Sequence, residues 1–544
     1  MAGLSNSEAT SLRLVRQARA GAGAGEVKTL LSKAWEHCKS SKKVLTAVTG
    51  SLVDIGEDDA AYAILQDAIV HQGESEALYQ IIGEMALRMQ IASVAEKAFS
   101  RAFDFNPGEP SHIVNLAESL KLGDKPDAAI NLLQSSLPHF PDHAGMWNSL
   151  AQLTLHHLAD RENALIFQQE AIKHAPKSAA FLHNMALMHF AQPAAQPYYE
   201  KALKLAPRNA QIHVSYALYL MGRGDLEGAW RHYEYRLDPE LGYTKAASYT
   251  HGLPAWRGNS LAGKSILLCA EQGIGDEVMF GVFIQKIIDE AEKVYVGCDP
   301  RLVPLYNRSF PAATAIAFED SRNYRYRRRS FPDVEKAFTT SAPRIDYAAP
   351  LASLPRYLAN DIARYRGYKG GFAKADPARL KEFAKHIGAG ERLKIAISWR
   401  SGNLSQERQR YYLDASAVAN LARMVDADFY VLQYSYTEEE AAALEDIANI
   451  HFFDDVDLKK DIEANIALLQ LMDVSVGPPT ATQMFAMAAG CPVALVNKGL
   501  PWTMFGSTQM EATFAPGSRY FDFTDEAELL PRLASHIMQL SARD

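Results

Sequence analysis

The sequence predicts an all-α repeat array followed by an α/β region made of two parallel-sheet halves. Three observations carry this reading. Apolar positions recur with a 34-residue period from about residue 42 to 241, as Pro107 and Pro141 mark. After Asp238-Pro239 the pattern changes to short apolar runs alternating with helical stretches. Within that second region Ser265–Phe283, SILLCAEQGIGDEVMFGVF, joins a strand, a two-glycine turn and a helix in one stretch.

The repeats come first in the chain. Ala61 and Ala68, Ala95 and Ala102, Ala164 and Ala171, and Ala195 and Ala202 sit where paired helices would approach closely. Leu65, Phe99, Leu133, Tyr199 and Tyr233 supply bulk just before each second helix closes. This pattern resembles the tetratricopeptide repeat, a helix–turn–helix unit of 34 residues. Six repeats start near 42, 76, 110, 144, 179 and 210. Residues 8–41 read as a degenerate helix pair capping the array, broken by GAGAGE at 21–26. The turn Ala191–Pro197 is altered by Pro193 and Pro197. Such arrays stack into a superhelix with a concave face on the first helices. Asn115 and Asn184 share one repeat position facing that groove. They are either solvated polar residues or hydrogen-bond partners of an extended peptide.

The second region opens with a linker-like Pro254–Gly258. Expected strands are 265–270, 293–298, 313–318 and 345–349, then 394–399, 428–433, 450–453, 474–477 and 492–497 after a break at Gly367–Phe372. Two Rossmann-like layer sandwiches follow from this alternation, with a ligand cleft outside the strand carboxyl ends. In the opening unit the glycines of Gly273-Ile274-Gly275-Asp276 permit positive φ and close ligand approach, and the helix reads from Val278 to Ile288. Asp276 either caps that helix or offers a carboxylate to chemistry. The third glycine of the dinucleotide fingerprint is replaced by Val278, which argues against NAD. Thr480, opening the helix that starts near Met484, is either a plain N-cap or part of a phosphate cradle. Arg400, ahead of an arginine-rich loop with Arg408 and Arg410, is either an ion-pair residue or a fork donor to the same phosphate. Arg322–Arg329, RNYRYRRR, reads as a solvated loop, with acceptor or phosphate contact as the other reading.

Composition narrows the function classes. The chain has 544 residues, enough for about three domains, and a net charge of −8, which does not suit a general nucleic-acid binder. No apolar run approaches the roughly 20 residues of a membrane span, and the N-terminus lacks an apolar signal core. The four cysteines, Cys38, Cys269, Cys298 and Cys491, form no Cys-x-x-Cys pair, which fits a reducing cytoplasm. No histidine spacing suggests a metal site, and no serine or cysteine nucleophile motif is present.

The segments EQGIGDEVMF, ISWRSG with RQRYYL, VLQY and PPTATQMFAMAAGCPVALV, in this order, resemble bacterial tetratricopeptide-repeat glycosyltransferases. These are similar to heptosyltransferases, with the two-Rossmann GT-B fold, and include proteins implicated in flagellin glycosylation. The resemblance implies capping helices at 1–41, repeats at 42–243, an acceptor-side Rossmann-like domain at 244–370 and a nucleotide-sugar domain at 371–544. It implies that Asp276 is the general base on the acceptor hydroxyl. Gly273, Gly275, Arg400, Ser401, Gln433, Tyr434, Pro479, Thr480 and Ala481 would then bind the donor. Asn115, Asn184, Glu271 and Gln272 would meet the acceptor. Many heptosyltransferase-like members carry Asp-Thr-x-x-x-His in the donor loop, where this chain has Pro479 and Met484 at the aspartate and histidine positions. The expected function is metal-independent transfer of a sugar from a nucleotide-activated donor to a cytoplasmic protein acceptor, flagellin-like, recruited by the repeats. No cofactor is implied beyond the nucleotide-sugar. The alternatives are a repeat scaffold with a degenerate GT-B half, and a lipopolysaccharide-core transferase.

Overall fold

The structure is a computed structural model; it describes residues 5–19, 24–189, 192–238, 241, 247–323, 326–334, 345–368, 370–387, 390–402, 412–497, 517–522 and 526–541. The chain forms two compact units. The first is Met1–Ile212 with Pro239–Thr244 and Ser321–Arg328; the second is His213–Asp238, Lys245–Asp320 and Arg329–Asp544. The division at Ile212 falls ahead of residue 243, where the sequence pattern ends the repeats, so the sixth helix pair groups with the α/β region.

The repeats are helix pairs, as the period requires. They run α1 (Asn6–Arg19), α2 (Ala24–His37), α3 (Lys42–Asp54), α4 (Asp58–Gln72), α5 (Glu76–Arg88), α6 (Ala92–Phe105), α7 (Pro110–Leu122), α8 (Pro126–Ser136), α9 (Ala144–His156), α10 (Arg161–His174), α11 (Ala179–Met188), α12 (Gln196–Leu205), α13 (Ala210–Arg223) and α14 (Leu226–Tyr233). This is a tetratricopeptide-like architecture. The small and large positions do what their sizes dictate. Ala61, Ala68, Ala95, Ala102, Ala164, Ala171, Ala195 and Ala202 are buried, as are Leu65, Phe99, Leu133, Tyr199 and Tyr233. A Cβ on Gly83 would lie 2.5 Å from the Phe99 ring, so that bulky residue demands a glycine opposite it. Serine hydroxyls of Ser41, Ser75 and Ser178 and the carboxylates of Asp160 and Asp225 accept from helix amides and start α3, α5, α11, α10 and α14. The turn inside several pairs uses a left-handed residue at one phase: Gly56, Gln90, Asp124, Ala159 and Gly224.

Two details of the array differ from expectation. Ala24 to Glu26 are already helical, so the end of GAGAGE belongs to α2. Pro193 does not merely distort a turn; it opens a 3-10 turn, Pro193–Ala195, that leads straight into α12.

The second unit holds two parallel sheets. The strands of the chain are β1 (Ala247–Tyr249), β2 (Ser265–Cys269), β3 (Lys293–Cys298), β4 (Ala313–Ala317), β5 (Glu319–Asn323), β6 (Tyr326–Ser330), β7 (Tyr347–Pro350), β8 (Leu393–Ile397), β9 (Ala427–Val431), β10 (Ile450–His451), β11 (Val474–Gly477), β12 (Val493–Asn497) and β13 (Arg519–Asp522). One parallel sheet has the order β4-β3-β2-β7 and the other β10-β9-β8-β11-β12-β13. Every strand pair in these two sheets is parallel. Between strands lie α15 (Ile274–Phe280), α16 (Ile284–Glu290), α17 (Val303–Ser309), α18 (Pro377–Ile387), α19 (Ala415–Met424), α20 (Glu438–Glu445), α21 (Ile462–Leu469), α22 (Ala481–Ala489) and α23 (Glu526–Ser541). Parallel pairing with helical crossovers is an α/β arrangement.

The linker and loop readings need correction. Trp256 is buried, its amide donates to the Ala348 carbonyl at 2.8 Å, and Ala255 bridges Ala348, so Pro254–Gly258 is bound to the first sheet. The described residues of Arg322–Arg329 lie in β5 and β6 and not in a loop, with Arg328 exposed. Arg329 is buried, stacked over Phe318 and donating to the Gln272 carbonyl at 3.1 Å.

Candidate active site at the strand carboxyl ends

In open parallel sheets, ligands enter where neighbouring strands send their connections to opposite sides. In the six-stranded sheet that point lies between β8 and β11, and in the four-stranded sheet between β2 and β7. The first pair leads into Ser398–Ser401 and Gly477–Thr480. The second leads into Ala270–Gly273 and Leu351–Ser353.

The glycine turn after β2 is built differently from its sequence reading. The helix begins at Ile274, not near Val278. Gly273 is its N-cap with φ −79°, so neither glycine is needed for a left-handed conformation. Gly275 is needed for contact. A Cβ there would lie 3.0 Å from the Ala481 Cα and 3.3 Å from its Cβ, so the first turns of α15 and α22 touch backbone to backbone. Asp276 is half-buried in that first turn, and the N-cap is Gly273, so Asp276 is not the capping residue. Its neighbour Glu277 is buried and accepts from the Asp299 amide at 3.1 Å. Burial pushes the Glu277 carboxyl up to about 8.

Thr480 is the N-cap of α22, yet its hydroxyl makes no capping bond. Its Oγ1 is buried and has no hydrogen-bond partner among the described residues. The plain capping role therefore fails, and a buried hydroxyl without a partner among the described residues sits at the first turn of a helix, whose first amides have no intrahelical acceptor. Pro479 and Ala481 flank it half-buried, and Met484 is buried in the second turn.

Several expected ligand residues are instead committed within the fold. Arg400 is buried and forms a fork with Glu440, Nε to Oε1 at 2.6 Å, while the Trp399 indole donates to the same carboxylate at 2.9 Å. It is thus not an open cation. Glu440 also closes the capping box of α20 with Thr437, and Arg400 foremost draws its carboxyl down to about 2. Gln433 is buried; its Oε1 accepts from the Trp399 and Arg400 amides and its Nε2 donates to the Ser435 carbonyl. It joins the ends of β8 and β9 and is not free for a donor. The Tyr434 hydroxyl accepts from the Gly402 amide at 2.6 Å, and Ser401 Oγ accepts from Tyr412 at 2.9 Å. Glu271 is buried in an ion pair with Arg236, so its carboxylate does not meet an acceptor. Gln272 accepts from the Tyr233 hydroxyl at 3.4 Å. Arg408 and Arg410 lie outside the described residues.

A cavity of about 290 Å³ lies beside Gln433, and two of its lining residues, Gln433 and Tyr434, are among those the sequence analysis expects at the donor. It opens at the carboxyl ends of β9 and β10 and is lined by Gln433–Tyr436, Phe452–Asp454 and Val456–Leu458. The rest of its lining is missed: the aromatic pair Phe452-Phe453 reads in the sequence only as the end of a strand. In the first unit, Asn184 and Asn115 are half-buried on first helices of their pairs. Asn184 Nδ2 donates to Asn148 Oδ1 of the preceding pair at 2.8 Å.

Comparisons with known proteins find a curated relative over most of the chain and solved structures over about a third of it. No protein-family profile matches. Protein FlbA of Caulobacter vibrioides is 27% identical over 463 residues, spanning 82% of this chain and 75% of that protein. Among solved structures, MamA is 18% identical over 29% of this chain and 95% of its own, with a TM-score of 0.25. A thermophilic tetratricopeptide protein of Thermus thermophilus is 18% identical over 33% of this chain and 98% of its own, with a TM-score of 0.27. The repeat architecture accordingly rests on the helix pairs themselves. Among the described residues no helix is long and apolar enough to cross a membrane, and no cluster of His, Cys, Asp and Glu could hold a metal ion.

Proposed function

We propose that the protein is a GT-B glycosyltransferase with two Rossmann-like domains. It moves a sugar from a nucleotide-activated donor to a protein acceptor, flagellin-like, that the repeat array recruits in the cytoplasm. The observation that carries the reading is the contact of Gly275 with Ala481. It brings the turn bearing the Asp276 carboxylate against the helix start bearing the Thr480 hydroxyl, which has no partner among the described residues.

In this reading the acceptor hydroxyl oxygen bonds to the anomeric carbon of the sugar. The bond from that carbon to the phosphate oxygen breaks, and its electron pair leaves on the nucleotide. Asp276 takes the hydroxyl proton as general base. The Thr480 hydroxyl and the first amides of α22, at the positive end of the helix dipole, receive the charge developing on the phosphate. The aromatic and acidic cavity at Tyr434–Tyr436 and Phe452–Asp457 takes the nucleoside. Asn115, and the Asn148–Asn184 pair, offer amides to an extended segment of the acceptor.

A second reading, a binding scaffold with a degenerate α/β half, is favoured by the commitment of Arg400 to Glu440 and by Pro479 and Met484 in the donor loop. Single-turnover transfer to flagellin from a panel of UDP-, ADP-, GDP- and CMP-sugars separates the two. Asp276→Asn keeps the size and leaves the Gly273 cap untouched, so the melting temperature should hold while transfer falls about 10²–10⁴-fold. Wild-type protein that binds flagellin but transfers from no donor supports the scaffold. A normally active Asp276→Asn removes Asp276 from the mechanism.

A further inference from the structure

The crevice between β2 and β7 is filled from within by the end of the last repeat pair. After α14 the chain makes a 3-10 turn, Glu234–Leu237, which carries Arg236. Arg236 is 2% exposed and Glu271 6%. Arg236 Nε donates to Glu271 Oε2 at 2.5 Å and its Nη2 to Oε1 at 2.7 Å. The same Nη2 reaches Ser353 Oγ at 2.8 Å, and Nη1 donates to the Tyr233 carbonyl at 3.1 Å. Glu271 Oε1 also accepts from the Ala352 amide at 3.1 Å, beyond the end of β7. One guanidinium thus ties together the helix end, the end of β2 and the loop after β7.

The next residue is held from the same helix. The Tyr233 hydroxyl donates to Gln272 Oε1, its ring lies under the Arg236 guanidinium at 4.7 Å, and it packs edge-on against Trp230. Trp230 in turn packs edge-on against Phe280, the last residue of α15. The Asp276 charge is among the influences that raise the Tyr233 hydroxyl, after desolvation by burial. α14 therefore touches the last residue of α15 and, through Tyr233, the Glu271-Gln272 segment that leads directly into its Gly273 cap.

A buried ion pair contributes little net stability compared with well-packed apolar residues, because desolvating both charges offsets their attraction. Its clear product is a fixed geometry. Resting on the transferase reading above, we propose that Tyr233 and Arg236 are positioning residues for the transfer step. They hold Glu271-Gln272-Gly273 so that the first turn of α15 presents Asp276 to the acceptor hydroxyl. The end of the last helix pair is then a wall of the reaction site.

The test uses full-length protein, with flagellin and the nucleotide-sugar that the wild type accepts. Tyr233→Phe removes one hydroxyl and keeps the packing. Arg236→Met with Glu271→Met removes both charges together, so no lone buried charge remains to unfold the protein. Both variants should melt near the wild-type temperature and keep the wild-type KM for the nucleotide-sugar. Their kcat should fall, about tenfold for Tyr233→Phe and about a hundredfold for the double variant, with Arg236→Lys in between. Amides 271–277 should exchange hydrogen at least tenfold faster in each, a readout that needs no activity. Wild-type kcat with unchanged exchange overturns the proposal, as does a kcat loss matched by an equal loss of folded protein. Failure of the transferase reading looks different: wild type without transfer, or Asp276→Asn as active as wild type. Unchanged exchange in the variants of an inactive wild type overturns the positioning role as well.

Discussion

Removing either partner of the Arg400–Glu440 pair should cost stability in a pH-dependent way. Arg400 is 8% and Glu440 20% exposed at the side chain, so both are largely withdrawn from water. The Glu440 carboxyl lies at about 2 against an ordinary value of 4.5, with the Arg400 bond as the first cause. At ~1.4 kcal/mol per pH unit this displacement corresponds to ~3 kcal/mol, a ceiling that partial exposure and screening lower. A loss of about 1–3 kcal/mol is expected at pH 7 for Glu440→Gln or Arg400→Met. That is on the order of 5 °C in melting temperature for a domain of this size. Because the folded value is depressed, the contribution is fully present above pH 4.5 and fades as pH falls toward 2. Calorimetry of wild type and Glu440→Gln from pH 7 to 3 should show a gap that is steady down to about pH 5 and then narrows. A gap absent at pH 7, or constant to pH 3, refutes the reasoning. If Arg400→Met instead melts normally and loses nucleotide affinity, Arg400 is a phosphate ligand after all.

Gly275→Ala gains up to ~1 kcal/mol of helix propensity but places its added carbon 3.0 Å from the Ala481 Cα and must push the two helix starts apart, so a net loss of about 1–2 kcal/mol is expected in urea unfolding. A stabilised variant would show that α15 and α22 give way freely. Ala159 is exposed with φ +54°, so Ala159→Gly should relieve strain and raise stability by about 0.5 kcal/mol; a loss would mean the turn is not strained. A fragment ending at Asn209 should be helical and monomeric by circular dichroism and light scattering. One ending at Tyr243 should associate, because it bares Trp230, Tyr233 and Arg236, all buried in the whole chain; the reverse order would contradict the division at Ile212.

The helix pairs are legible in the sequence because their determinants are local and repeated. Six first helices start at 42, 76, 110, 144, 179 and 210, as the spacing of alanines and prolines indicates. Strands in the second unit are legible to within a residue or two, except β13 and the pairs at β1, β5 and β6, whose polar residues mask any apolar run. The site is less legible. A polar residue at a strand carboxyl end either faces a ligand or satisfies backbone groups of a neighbouring loop. Gln433 takes the second course, with the Trp399 and Arg400 amides. Arg236 and Glu271, like Arg400 and Glu440, find each other across 35 and 40 residues, a pairing no local pattern encodes. Gly275 stands out in the sequence for its conformational freedom, but its requirement is a tertiary contact and not a φ value.

The place where the two compact units divide bears on how such a chain can change over generations. In a tandem array each helix pair contacts only its neighbours, so a pair can be added or removed as a unit. Pairs before Ile212 belong to the first unit, so a change in their number leaves the residues of the second unit as they are. The pair that follows is different. With Tyr233 and Arg236 locked against Gln272 and Glu271, it cannot be duplicated or deleted without dismantling the crevice it fills, and descent should have kept it single and in place.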